Sequence, residues 1–335
     1  MTGLIAGYAM PPKMASHGGE TRRVGFELEF AGLEFRATVR VLEQVFQASA
    51  QIMSEAEAVI EAPELGKFVV EVDSELAKQL AKSRAEARAG RGKTDDPLAQ
   101  WLVNLTTELV PVEVVCPPVA VDQLGSLDAM VRALRAAGAE GTAGSLVYAF
   151  GVHINPELPA LDAATIARYL KAYVVAQDWL IRRHRVDMTR RFTPYIDVYP
   201  SAYCRRVVHY PADVKLETLL DDYLEFNATR NRALDLLPLF SELDAERVNQ
   251  AVSDTRINAR PTFHYRLPNC EIERGDWSLA ESWNIWCVIE ALAADAELLG
   301  KVSDEYRQHA AQLINFTRAP WHRTLDRILS DLVSA

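Results

Sequence analysis

Residues 22–30, Arg-Arg-Val-Gly-Phe-Glu-Leu-Glu-Phe, place Val24, Phe26, Leu28 and Phe30 on one face and Gly25, Glu27 and Glu29 on the other. This period of two is the pattern of a strand with one buried face. A strand advances about 3.3 Å per residue, so the two carboxylates stand roughly 6.6 Å apart and point the same way. Like charges so placed repel unless a cation lies between or above them, and Mg²⁺ is the usual oxygen-liganded choice. A solvated outer face explains an isolated Glu-x-Glu more simply. Recurrence of the arrangement on other segments tips the balance toward a cation.

Four further segments recur in this way. Lys67–Asp73 alternates Phe68, Val70 and Val72 with Val69, Glu71 and Asp73, after a strand expected near Glu57–Glu61. Glu113 stands between Val112 and Val114 ahead of Pro117-Pro118. In Ser145–Asn155, Leu146, Tyr148, Phe150, Val152 and Ile154 share one side, and Gly151, His153 and Asn155 the other. In Arg260–Leu267, Arg260, Thr262, His264 and Arg266 alternate with Pro261, Phe263, Tyr265 and Leu267. A short strand is expected at Cys270–Arg274. If these strands share a sheet, acids, an imidazole and guanidinium groups converge on one surface. Divalent cations, phosphates and a carboxylate substrate need that mixture, and Gly151 leaves room for a ligand to approach the backbone.

Helical spacing covers Arg36–Ser49, residues 74–92, Pro97–Thr107, Ser126–Ala137, Leu161–Arg185, Asp213–Phe226 and the Trp277–Leu299 stretch. The half of the chain from about residue 161 is mostly helical, and the first twenty-one residues read as a loose leader. Strands separated by helices, each with one apolar face, indicate an α+β fold whose sheet lines a cleft. With 49% hydrophobic and 24% charged residues there is ample material for a core. The net charge of −10 argues against nucleic acid or an anionic membrane as partner. The apolar stretch from Trp283 to Leu299 is interrupted by Glu290, Asp295 and Glu297, so no segment reads as a membrane span. Cys116, Cys204, Cys270 and Cys287 form no Cys-x-x-Cys pair and read as buried free thiols in a reducing compartment. With no secretory signal recognised, the expected location is cytoplasmic. Gly-x-x-x-x-Gly-Lys and Gly-x-Gly-x-x-Gly loops are absent, which counts against P-loop and Rossmann nucleotide binding.

The ordered segments Gly25-Phe-Glu-Leu-Glu-Phe, Val72-Asp-Ser, Pro111-Val-Glu-Val-Val-Cys-Pro-Pro, Gly151-Val-His-Ile-Asn and Arg260-Pro-Thr-Phe-His-Tyr-Arg resemble the amidoligases. These are carboxylate–amine ligases with the glutamine synthetase and glutamate–cysteine ligase catalytic fold. The resemblance spans roughly Arg22 to Leu298 and implies one catalytic domain over residues 22–335, with a curved, mainly antiparallel sheet. It implies an ATP-dependent ligase: a substrate carboxylate is phosphorylated, and an amine attacks the acyl phosphate to give an amide. The carboxylate would belong to an amino acid, a peptide or a protein tail. On the same resemblance Glu27, Glu29 and Glu113 are Mg²⁺ ligands, with two or more ions conceivable, and Asp73 is a further acid. His153 and Asn155 lie toward phosphate or metal, and Arg260 and Arg266 contact phosphate and the transferring group.

Arg190 and Arg191, in a loop, are candidate substrate contacts. The late strand departs from the family pattern: where an acid two residues before the last arginine is usual, His264 precedes Arg266. A histidine can ligate a metal or act as acid–base, but brings no negative charge. In a second register Glu271 or Glu273 would supply the acid and Arg274 the arginine. A metal-dependent hydrolase using the same acids and His153, or a silent binding protein on this scaffold, are the alternatives.

Overall fold

The first strand, β1 (Arg23–Phe30), is the spine of the molecule. Val24, Phe26, Leu28 and Phe30 are fully buried, while Glu27 and Glu29 lie on the opposite, partly exposed face. The structure is a computed structural model that describes residues 7–72, 111–142, 150–186, 196–311, 321–329 and 332. Asp73, Arg190, Arg191 and the two helices expected between residues 74 and 107 lie outside these residues.

The other strands are β2 (Ala50–Ile52), β3 (Glu57–Ala62), β4 (Gly66–Val72), β5 (Val112–Val115), β6 (Val119–Ala120), β7 (Val152–Pro156), β8 (Leu234–Asp235) and β9 (His264–Tyr265). Among the described residues they form one nine-stranded sheet in the order β2-β3-β4-β5-β1-β7-β9-β8, with β6 also on β1. Every neighbouring pair of named strands is antiparallel. Pro117 and Pro118 interrupt β5 as expected, yet the chain keeps its place beside β1. The Cys116 N–H donates to Phe26 O (2.8 Å), and β6 resumes opposite Arg23 and Val24.

Ten helices complete the described fold: α1 (Phe35–Phe46), α2 (Asp128–Ala136), α3 (Ala163–Arg183), α4 (Ser201–Val208), α5 (Leu216–Asn227), α6 (Leu237–Leu243), α7 (Ala245–Ala251), α8 (Leu279–Ala294), α9 (Ala296–Ala311) and α10 (Trp321–Ile328). The long α3 starts at Asp162, whose carboxylate accepts from the backbone N–H and the hydroxyl of Thr165, at 2.8 and 2.9 Å; this cap satisfies a backbone donor that the helix leaves open. α1 packs on β3, β4 and α2, whereas α8, α9 and α10 pack around α3. The architecture is α+β, as the alternation implies. The four cysteines are buried and free, and no helix among the described residues is long and apolar enough to cross a membrane.

Three local expectations need correction. The Trp277–Leu299 stretch is two helices, because Asp295 closes α8 and its Oδ1 then accepts from the Leu298 N–H (2.9 Å) to open α9. Between the helices expected at Leu161–Arg185 and Asp213–Phe226 lies a further one, since Pro200 precedes α4, whose Tyr203, Cys204, Val207 and Val208 are buried. Cys270–Arg274 is not a strand. The Arg135 guanidinium gathers the carbonyls of Ile272 (2.6 Å), Gly275 (3.3 Å) and Trp277 (2.6 Å), which folds that segment into turns.

One buried ion pair locks the sheet to the helices. Arg22, at the foot of β1, and Glu290, on α8, are both wholly buried and form a bidentate pair at 2.9 and 2.7 Å. Tyr169 of α3 also donates to Glu290, as does the Trp286 indole at 2.9 Å. Arg22 additionally donates to the carbonyls of Glu157 (2.7 Å) and Lys13 (2.9 Å). Near the chain start, Tyr8 donates to Asp128 (2.7 Å), and the Ala9 carbonyl accepts from Trp283 (2.8 Å).

Candidate functional site

Antiparallel register decides which side chains meet, because residues directly opposite point to the same face. Glu29 of β1 stands opposite Glu113 of β5, Glu113 opposite Glu71 of β4, and Glu71 opposite Glu57 of β3. Four carboxylates thus form one row across four strands. Like charges placed directly opposite destabilise a sheet, so such a row calls for compensating positive charge. Along the next row Val115, Glu27 and His153 are neighbours, and Asn155 faces Gly25. On the far side of β7, Tyr265 pairs with Ile154 on the core face, which turns His264 to the polar face.

Around Glu27 the groups interlock. Its Oε1 accepts from Asn155 Nδ2 (2.9 Å), and its Oε2 lies 2.8 Å from His153 Nδ1 and 3.6 Å from His264 Nε2. Arg260 donates to Asn155 Oδ1 (2.9 Å) and stands 3.6 Å from Glu27 Oε1. Glu29 Oε2 accepts from the Gly151 N–H (2.8 Å), while Oε1 lies 3.4 Å from His153 Nε2. The His153 and His264 rings meet edge to face, with centroids 5.1 Å apart. Arg266 reaches the Arg230 carbonyl (2.6 Å).

Burial pushes the Glu27 carboxyl up, but the charge of His264 and the hydrogen bond of His153 outweigh it and hold Glu27 well below the usual carboxylate range. Burial takes His153 the other way, below the ordinary imidazole value, against the raising pull of Glu29 and Glu27. An ionised carboxylate beside a neutral imidazole is a metal-ready pair. Two sets of groups bring ligand atoms within 4.8 Å of one another: Glu27, His153 and His264, and Glu29, Glu113 and His153. A neutral imidazole has a single ring-nitrogen lone pair, so His153 serves one set at a time.

Of the residues singled out from sequence, Glu27, Glu29, Glu113, His153, Asn155, Arg260 and His264 are gathered here. Glu271 is held in ion pairs with Arg274, which also binds Asp276 and Glu281, and Glu273 accepts from the Gly141 N–H (2.9 Å). Neither belongs to a ligand set among the described residues.

Sequence reasoning missed Asp235. Wholly buried on β8 opposite His264, it has Oδ2 3.7 Å from His264 Nδ1, and Oδ1 accepts from the Leu237 N–H (2.9 Å). An acid inside the apolar run Ala233-Leu-Asp-Leu-Leu-Pro was the available signal, since buried acids are rare unless paired. Buried tyrosines hold its strand in place: Tyr199 donates to the Leu234 carbonyl (2.6 Å), and the Leu236 N–H donates to Tyr223 (2.9 Å).

Residues 20–288 match the model of the family described as "Putative amidoligase enzyme". The chain belongs to the amidoligase family. No curated protein matches the chain. The family model covers most of the chain, including every strand of the amidoligase sheet and both candidate ligand sets. Membership supports a ligase acting on small molecules that it joins through an amide bond.

Gly151 is the most constrained small residue of this amidoligase site. A Cβ there would lie 3.2 Å from Glu29 Oε2 and 3.3 Å from His153 Nε2. Gly151→Ala is expected to weaken divalent-metal affinity about tenfold or more by displacing these two groups. The same change should alter stability by less than about 1.5 kcal/mol. Calorimetric titration beside denaturant unfolding separates the two effects, and unchanged metal affinity contradicts the placement of a cation here.

Proposed function

We propose that this amidoligase is an ATP- and Mg²⁺-dependent carboxylate–amine ligase working through an acyl phosphate. The observation that carries the reading is the carboxylate row Glu29–Glu113–Glu71, flanked by the Arg260 guanidinium and the neutral His153 on one polar sheet face. Oxygen donors in a row suit a hard cation, so the donor set fits Mg²⁺, with Glu29 and Glu113 as its holders. Bound there, Mg²⁺ would neutralise phosphate charge during phosphoryl transfer. Arg260, about one-third exposed, brings positive charge to an anionic oxygen while Asn155 holds its Nη2. Gly151 is buried with Glu29 and His153 packed over it, so its missing side chain makes room for these two groups.

In this reading ATP phosphorylates the substrate carboxylate. An amine then attacks the acyl carbon, phosphate leaves, and the products are an amide, ADP and phosphate. The carboxylate belongs to an amino acid, a peptide or a protein tail. The test is ADP release from the purified chain with ATP and Mg²⁺ across a panel of amines and carboxylates. ADP release that depends on both co-substrates, with an amide product by mass spectrometry, supports the reading. Metal-dependent hydrolysis of amides without ATP would replace it by the hydrolase, which the nitrogen-bearing Glu27–His153–His264 set otherwise favours.

A further inference from the structure

Residues 227–232, Asn-Ala-Thr-Arg-Asn-Arg, link α5 to β8 through a loop that is pinned at several points. The Arg232 guanidinium donates to the carbonyls of Phe226 and Val198, both at 2.9 Å. The Asn231 N–H donates to Thr229 Oγ1 (3.2 Å), and the Asn231 carbonyl accepts from the Asp197 N–H (2.7 Å). The Arg230 carbonyl accepts from Arg266 Nη1 (2.6 Å), which ties the loop to the end of β9. A loop so fixed keeps the Arg230 side chain close enough to Arg266 for the two charges to interact.

That juxtaposition is electrostatically unfavourable as it stands. Among the described residues the Arg230 guanidinium makes no hydrogen bond, and its ion-pair partner, Asp254 Oδ2, is 3.9 Å from Nη1. Asp254 is already engaged: Arg256 Nη2 and Nε reach its two oxygens at 2.7 and 2.9 Å, and the Arg256 N–H donates to Oδ1 (3.0 Å). Asp235, the other acid acting on Arg230, is turned toward His264. Burial pulls Arg230 below the ordinary guanidinium range, and Arg266 and Arg256 add to this against Asp254 and Asp235. The buried Nε of Arg266 has no hydrogen-bond partner. Neighbouring guanidiniums repel, and N–H donors taken from water without acceptors cost free energy. A carboxylate or phosphoryl group lying between them removes both costs, because its oxygens accept paired N–H bonds from a guanidinium fork. The Arg230 side chain is 28% exposed and so accessible to such a group.

The pair also lies on the reaction side of the sheet. Besides burial, the charge of Arg266 lowers the His153 imidazole, which places this guanidinium within electrostatic reach of it. In the sheet β9 is next to β7 and two strands from β1, so Arg266 starts about 5 Å beyond the His153 strand and about 10 Å beyond the Glu29 strand. A phosphate held through metal at Glu29 and Glu113 would therefore lie on the other side of His153. Given the ligase reading, on which this inference rests, we propose that Arg230 and Arg266 hold a second anionic group of the carboxylate substrate. Arg230 then determines specificity, selecting substrates that carry two negative charges. The reacting carboxylate lies toward Arg260, and the second group about one strand spacing farther along.

The test is calorimetric titration of the full-length protein, without nucleotide, with succinate, glutarate and adipate beside the monoanion butyrate. A parallel titration uses ATP with Mg²⁺. At least one dicarboxylate is expected to bind about tenfold or more tightly than butyrate. Arg230→Gln should weaken that dicarboxylate about 10–100-fold, through loss of hydrogen bonds between charged groups. Arg230→Lys should restore only part of the affinity, because an ammonium has no fork. Asp254→Asn should tighten binding about two- to fivefold, since the acid drawing on Arg230 is gone. ATP–Mg²⁺ affinity should be the same in all three variants, and circular dichroism confirms that each is folded. Should Arg230→Gln unfold the chain, the decision passes to Arg230→Lys and Asp254→Asn. No dicarboxylate preferred over butyrate, or a preference that survives Arg230→Gln, would overturn the proposal and leave Arg230 in a surface ion-pair network. An equal loss of ATP–Mg²⁺ affinity would overturn it by assigning Arg230 to the nucleotide. An ATP–Mg²⁺ response without dicarboxylate preference keeps the ligase reading intact, whereas the preference without any ATP–Mg²⁺ response fails that reading alone.

Discussion

Glu290→Ala is expected to destabilise the protein by about 3–5 kcal/mol, the cost of leaving a buried charge without its partner. Arg22 and Glu290 are both inaccessible to solvent, and the carboxylate collects the Arg22 fork, the Tyr169 hydroxyl and the Trp286 indole. Truncation strips Arg22 of its counter-charge and leaves the phenol and indole donors without an acceptor. Against a typical total of about 5–15 kcal/mol, this is a large fraction of the fold's stability. Denaturant unfolding gives the measure, read as a shift in midpoint at constant slope. Replacing both partners, Arg22→Met with Glu290→Leu, should recover much of the loss, because no buried charge then remains. Recovery should be incomplete, since the Glu157 and Lys13 carbonyls lose the guanidinium. A loss below about 1 kcal/mol in Glu290→Ala contradicts the role assigned to the pair.

Glu113→Gln is expected to lower ATP-dependent ADP release by about 100-fold or more while the sheet stays intact. Loss of groups that merely orient metal ligands already costs about 10–100-fold, and Glu113 is proposed to hold the metal itself. The amide is nearly isosteric, and Glu113 is only partly buried beside Glu29 and Glu71. The near-isosteric change should therefore alter stability by less than about 1.5 kcal/mol. Steady-state ADP formation beside thermal unfolding distinguishes the two effects. Full activity in this variant removes Glu113 from the metal site, and lost activity with lost fold assigns it to structure.

Much of the sheet was legible because alternation is local. Val24 to Phe30, Phe68 to Val72, Val112 to Val114 and Val152 to Ile154 each declare an apolar and a polar face within a few residues. The meeting of Glu27, Glu29, Glu113, His153 and His264 followed once those faces shared one sheet. What stayed hidden is non-local. Arg22 finds Glu290 across 268 positions, and Glu290 in sequence is only an interruption of an apolar helix. Asp235 and His264 meet because β8 and β9 pair, and the two-residue β8 carries no periodicity to read. The choice between His264 and Glu271 was equally closed to sequence. It depended on Tyr265 pairing with Ile154, and on Arg135 bending residues 272–277 into turns.

The central claim, that the carboxylate row holds the metal of an ATP site, is tested most directly by thermal unfolding of the wild-type chain and Glu113→Gln with ATP, Mg²⁺ and both together. A ligand at a hundredfold over its dissociation constant adds about 2.7 kcal/mol to stability, a shift of several degrees. The account predicts stabilisation of the wild type that requires ATP and Mg²⁺ together and is lost in Glu113→Gln. Stabilisation by a divalent metal alone with no response to ATP, or an ATP–Mg²⁺ shift undiminished in Glu113→Gln, would contradict it.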